Sequence, residues 1–154
     1  MSLDSRDRRI LDILQHDADT SVLKIAEKVA LSPSACSRRI AHLREAGFIR
    51  RTVALLDRDL LSLRTTIYVV VRARHSETWL QNFRAVISEI PEILECHRLA
   101  GNFDYLMKLV VADVQEYDRV YKRLVSRIEL DDVSAYIAME AMKDDPTLPI
   151  ATVL

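Results

Sequence analysis

Glycine and cysteine are scarce in this sequence, two of each in 154 residues, and proline occurs only four times. So few backbone breakers exclude collagen-like and low-complexity chains and predict long regular elements joined by short loops. Cys36 and Cys96 cannot build a disulfide framework, and both read as small buried apolar residues of a reduced, cytoplasmic protein. Long apolar runs are missing as well, and the charged opening from Ser2 to Arg9 leads into no signal segment. Neither a membrane span nor secretion is expected. His16, His42, His75 and His97 stand singly, without zinc-ligand spacing, and no Ser/His/Asp set, phosphate loop or carboxylate pair stands out. The neighbours Cys96 and His97 would point to opposite faces of a strand. No metal, no cofactor and no enzymatic activity are therefore expected.

Apolar residues are plentiful, 49% against 29% charged, which places the chain in the globular class. The net charge of −1 hides an asymmetry: residues 1–52 hold ten Lys+Arg and seven Asp+Glu, a net of +3, which leaves −4 for the remainder. The basic part is the part to examine for nucleic-acid contact.

Asp4 can cap a helix through Gln15, with Ile10, Ile13 and Leu14 on one apolar face. Ser21 caps a short second helix in which Val22, Ile25, Ala26 and Val29 share a stripe. The turn Ala30-Leu31-Ser32 then leads into a third helix, with Ser32 as N-cap and Pro33 at its first position. It runs to about Ala46, where Gly47 supplies a left-handed residue and Phe48 can fold back on Leu43. Cys36, Ile40 and Leu43 form its inner face; Ser34, Ser37, Arg38, Ala41 and Glu45 form the outer one. A short helix, a tight turn and a capped helix with small residues near its start match the helix-turn-helix, whose second helix enters the major groove of double-stranded DNA. Serine hydroxyls bond several base edges, and an Arg fork suits guanine. Arg39 and His42 on the helix flank, and Arg50 and Arg51 after it, are placed to reach phosphates. The candidate DNA contacts are Ser32, Ser34, Ser37, Arg38, Arg39, His42, Arg50 and Arg51.

Residues 52–64 read as an extended linker strand and a polar connection with a helical turn at Arg58 to Leu61. Beyond it the pattern becomes regular. Thr66 to Arg74 is strand-like; Ser76 caps a helix carrying Trp79, Phe83, Val86, Ile87 and Ile90 that ends before Pro91. Ile93 to Ala100 and Asp104 to Val111 are strands around the turn Gly101-Asn102-Phe103. Val114 to Ile128 is a helix with Tyr117, Val120, Tyr121, Leu124, Val125 and Ile128 on one stripe, and Val133 to Met142 is a last strand. The order βαββαβ predicts a ferredoxin-like sheet with both helices on one face. The expected fold class is α+β, divided into a helix-turn-helix domain at 1–51, a linker at 52–64 and a ferredoxin-like domain at 65–154. Several strands are apolar on both faces, so a second subunit is expected on the face the helices leave bare, in a twofold homodimer.

These residues resemble the Lrp/AsnC family of feast/famine transcription regulators along essentially the whole chain. The marks are Leu3-Asp4 with Asp7, Leu31-Ser32-Pro33 with Arg39 and Leu43, Gly47-Phe48-Ile49, Ala54-Leu55-Leu56-Asp57 and Gly101-Asn102-Phe103-Asp104-Tyr105-Leu106. The resemblance implies a dimer that assembles further, commonly into octamers, and a small-molecule effector, usually an amino acid, bound where C-terminal modules meet. It assigns that effector to Gly101, Asn102, Phe103, Asp104 and Tyr105, with Ser134 and Tyr136 at the start of the last strand. From the residues alone, Gly101 to Asp104 is a hairpin turn. The chain departs from the family with Ala30 where glycine is frequent and Glu129-Leu130-Asp131-Asp132 where Pro-Gly is usual. The alternative function is an effector-independent architectural DNA binder. An RNA-recognition module is disfavoured, because the third strand lacks the Lys/Arg-Gly-aromatic opening that base stacking requires.

Overall fold

A computed structural model describes residues 2–73 and 76–150. Arg74, the expected end of the first strand, and His75 lie outside them. The chain forms two compact units, one holding residues up to Leu55 together with the described tail 143–150, the other spanning Leu56–Met142.

The first unit contains α1 (Ser5–His16), α2 (Val22–Lys28) and α3 (Pro33–Glu45), capped by Asp4, Ser21 and Ser32, whose side chains accept N–H bonds from Asp7, Lys24 and Ala35. Their apolar stripes meet in one core of Ile10, Ile13, Ile25, Ala26, Val29, Cys36, Ile40 and Leu43. Both later helices end alike. Leu31 N–H donates to Ala26 O and Ala30 N–H to Glu27 O, as Phe48 N–H donates to Leu43 O and Gly47 N–H to Arg44 O. This closure puts the residue after the cap in the left-handed region: Gly47 at φ +81° and Ala30 at φ +52°. Glycine tolerates that conformation; the alanine Cβ crowds a carbonyl at roughly 1 kcal/mol. Ala30→Gly is therefore expected to raise stability by about 1 kcal/mol, and Gly47→Ala, whose new Cβ would meet nothing within 4 Å, to lower it by about as much. Urea unfolding of both variants checks the pair of opposite signs.

The tail, which the sequence pattern leaves with the C-terminal module, groups with this first unit instead. The Gln15 amide explains it: Nε2 donates to Leu148 O at 3.0 Å and Oε1 accepts from Leu148 N–H at 2.9 Å.

The second unit is a four-stranded antiparallel sheet of order β2-β3-β1-β4, built from β1 (Thr65–Arg72), β2 (Ile93–Arg98), β3 (Tyr105–Val111) and β4 (Asp132–Ile137). The helices α4 (Glu77–Ser88) and α5 (Val114–Val125) bring Phe83, Val86, Val120 and Leu124 onto one face, against Ile67, Val69 and Val71 of β1 and Tyr105, Met107, Leu109 and Val111 of β3. The ferredoxin-like arrangement is the one expected. Strand β4 stops well before Met142, because Ala138 N–H bonds Thr66 O and β1 begins only one residue earlier, at Thr65. Residues 51–57 lie outside any ladder among the described residues, whereas Asp57 caps the anticipated turn, which closes through Leu63 N–H to Arg58 O. No helix among the described residues is long and apolar enough to cross a membrane.

Candidate functional site

The third helix presents two contrasting sides. Cys36, Ile40 and Leu43 are buried, while Ser34, Ser37, Arg38, Ala41, His42 and Glu45 are exposed. With Leu31 and Ala35, several of the exposed residues line an open groove of about 690 Å³ along the helix. The side chains of Arg38, His42, Arg50 and Arg51 make no ion pair or hydrogen bond within the chain among the described residues, so their donors are available to a partner. Ser32 is already committed: its Oγ accepts Ala35 N–H at 3.2 Å and lies 3.2 Å from Ser34 Oγ. Arg39 is committed too, with Nη1 2.6 Å from Asp4 Oδ2 and 2.8 Å from Asp7 Oδ1. The Asp7 N–H, and then Arg39, hold the Asp4 carboxyl below its usual range. Sequence spacing places Arg39 on the helix flank but cannot show that α1 brings two carboxylates to meet it.

In the second unit the loop between β2 and β3 is fastened to the end of β1. Asp104 N–H bonds Val71 O at 2.9 Å, its Oδ2 accepts Ala73 N–H at 3.0 Å, and Leu99 N–H closes the hairpin on Asp104 O at 2.8 Å. Arg72 holds the tip: Nε donates to Asn102 O at 2.6 Å, and the guanidinium sits 5.3 Å from the Phe103 ring centroid. Arg72 is a member of this constellation that motif reading missed; its signal is a charged residue ending an otherwise apolar strand. Gly101 is exposed, has no left-handed φ, and a Cβ there would meet nothing within 4 Å, so nothing inside the chain demands a glycine.

Tyr105 departs from its expected place lining this loop. Its ring is 3% exposed and packs in the helix-side core, 4.8 Å from Phe83 and 5.7 Å from Trp79 between centroids. Burial pushes its phenol up. The alternation of β3 decides this: Tyr105 shares the parity of Met107 and Leu109, so it faces the helices. Ser134 and Tyr136 pair with Val70 and Tyr68 and lie on the opposite, helix-free side, Ser134 half-buried and Tyr136 exposed. Tyr68, Val70, Leu106 and Tyr136 form the apolar part of that side; Glu95 adds a polar edge, 3.3 Å from Lys108 Nζ and 3.2 Å from His97 Nε2. Both thiols are raised by burial, Cys96 to about 11, which keeps them protonated. Among the described residues, no group of three or more His, Cys, Asp or Glu side chains could hold a metal ion.

Two family models match this chain, a winged helix-turn-helix DNA-binding model over residues 3–50 and the Lrp/AsnC ligand binding domain over residues 66–148. The HTH-type transcriptional regulator Zrp of Zymomonas mobilis is 51% identical over 148 residues, covering 96% of this chain and 97% of its own. Among solved structures, an AsnC family transcriptional regulator from Agrobacterium tumefaciens superposes with a TM-score of 0.95 at 45% identity, covering 99% of this chain and all of its own. A transcriptional regulator from Neisseria meningitidis, solved as an L-Met complex, superposes with a TM-score of 0.92 at 31% identity and covers 97% of both chains.

Proposed function

Because the chain belongs to the Lrp/AsnC family of DNA-binding transcription regulators, and so is a regulator with a ligand-binding domain and not an enzyme, we propose that α3 reads operator bases and that an amino acid or a related metabolite controls the binding. The observation that carries the reading is the outer face of α3: Ser34, Ser37 and Arg38 exposed on a helix whose other face is locked into the core, with the Arg38 fork free. Ser34 and Ser37 approach base edges, Arg38 supplies the paired donors that suit guanine, and His42, Arg50 and Arg51 contact phosphates. The effector sits against Gly101, Asn102, Phe103 and Asp104, within reach of Arg72 and Ser134. The bare face at Gly101 supports this, since a glycine not required by the fold leaves room for something from outside it. Arg72 is available to the carboxylate of an amino acid on the exposed side of the loop.

The protein acts in the cytoplasm as a homodimer that assembles further, towards an octamer. The helix-free sheet side with Val70 and Tyr136 receives the second subunit. The exposed Leu56 and Leu60, at 69% and 84%, are further apolar surface of this unit available for assembly. Two reading heads then address half-sites one or more helical turns apart.

Gel shifts on the DNA upstream of its own gene, with each of the twenty amino acids added in turn, test the whole reading. One or a few amino acids are expected to alter a specific shift. A specific shift that none of them moves removes the amino-acid effector and leaves an architectural binder; absence of a specific shift removes operator reading. Within the same assay Arg38→Ala is expected to lose about 10–100-fold on the operator and little on unrelated DNA. Arg50→Ala and Arg51→Ala should weaken both DNAs alike and flatten the salt dependence by roughly 0.9 per lost phosphate contact.

A further inference from the structure

We propose that Arg39 does not touch DNA but sets the position of the reading helix, as the centre of a clamp with Asp4 and Asp7; the inference rests on the DNA-reading role proposed for α3. Each carboxylate divides its oxygens between two tasks. Asp4 Oδ1 accepts Asp7 N–H at 2.8 Å and Asp7 Oδ2 accepts Asp4 N–H at 3.2 Å, which caps α1. The remaining oxygens, Asp4 Oδ2 and Asp7 Oδ1, both take Arg39 Nη1. The start of α1 and the middle of α3 are thus joined in one hydrogen-bonded ring, and both hydrogens of Nη1 are used.

Burial and charge separate this clamp from a phosphate contact. The side chains of Asp7, Arg39 and Asp4 are 7%, 33% and 49% exposed, so the Asp7 arm is the buried part of the clamp, and loss of Arg39 strands the Asp7 charge there. The three groups sum to a charge of −1. A phosphate approaching that spot meets net repulsion, whereas one approaching Arg38 or Arg50 does not. Arg39 directly follows Arg38 on the helix, so fixing its direction fixes the rotation of α3 and with it the aim of Ser37 and Arg38. Arg39 is a positioning residue.

The test measures Asp7→Asn, Arg39→Gln and the double variant for binding to the upstream DNA and to unrelated DNA across a salt series, and for thermal unfolding. Asparagine keeps an acceptor for the Asp4 N–H, so the cap survives. Asp7→Asn removes a negative charge and would tighten DNA binding if charge alone mattered. The clamp predicts the opposite: about tenfold weaker binding to the upstream DNA, with an unchanged salt slope for both single variants. Unfolding temperatures should drop by about 5–10 °C, and the double variant should be no worse than Arg39→Gln alone. Tighter binding by Asp7→Asn, or a slope reduced by roughly 0.9 in Arg39→Gln, makes Arg39 a phosphate contact and overturns the proposal. If the unmodified protein shows no specific shift, operator reading falls, and the unfolding cycle still judges the clamp: additive losses overturn it, coupled losses support it. Asp4→Asn, at the half-exposed arm, gives the same signs with less risk to folding.

Discussion

Val70→Glu is expected to turn the proposed dimer into a monomer and to weaken operator binding by about 100- to 10,000-fold, the factor lost when two linked reading heads become one. Val70 lies in the middle of β1, opposite Leu106 of β3 and Ser134 of β4, on the side away from both helices. Its parity neighbours Tyr68 and Tyr136 are 38% and 57% exposed, an apolar surface that the chain by itself does not cover. A carboxylate here is solvated in the monomer but unpaired and desolvated in the dimer, and twofold symmetry introduces it twice. Sedimentation should show the mass of a single chain, with circular dichroism unchanged, and gel shifts should show the weakened complex. A Val70→Glu protein that remains dimeric would move the subunit contact away from this sheet face, towards the exposed Leu56 and Leu60.

Phe83→Ala is expected to cost about 3–5 kcal/mol, a large share of the roughly 5–15 kcal/mol that holds a domain of this size together. Phe83 is 1% exposed and stacks on Trp79 at 4.8 Å, with an interplanar angle of 17°, while Tyr105 tilts against both. Removing the middle ring leaves a cavity that the two neighbours cannot fill without leaving their rotamers. Because Tyr105 directly follows Asp104, the same change loosens the loop proposed to hold the effector. Trp79 is the single tryptophan, so its fluorescence reports this unit directly during urea unfolding. A loss below about 1 kcal/mol would mean that the site collapses and that the ring stack is not what fixes the loop.

Much of the fold was legible because the relevant signals are local. The caps Asp4, Ser21, Ser32 and Ser76 satisfy N–H groups three residues ahead, and Gly47 permits a conformation set by its own backbone. Ala30 takes the same left-handed conformation without the glycine, because the chain closure around it is the same. The βαββαβ succession followed from the alternation of β and α periodicities, and the ferredoxin-like arrangement from it, since a short hairpin and two helical crossovers leave few ways to connect four strands. The end of β4 was not legible. The apolar residues to Met142 continue the pattern, but a strand needs a partner, and β1 ends the ladder near Thr66.

The candidate sites divide along the same line. The outer face of α3, with Ser34, Ser37 and Arg38, follows from helical periodicity and needs no knowledge of other elements. Arg39 does not: a guanidinium suits a phosphate and a carboxylate equally, and only the packing of α1 beside α3 supplies Asp4 and Asp7. Tyr105 is likewise part of the Gly101 loop in sequence but part of the core in space, because strand parity and the position of α4 send its ring to Phe83. Arg72 joins the loop from 30 residues away, and Gln15 holds Leu148 from 133 away, separations over which no pattern of neighbouring residues carries information. The sequence by itself determined the helices, their caps, the succession of strands along the chain and the exposed face of α3, since each depends on bonds or periodicity within one element or one turn. Tertiary structure alone decided which charged and aromatic side chains are spent inside the protein and which remain for DNA or ligand, because that depends on partners brought close only by folding.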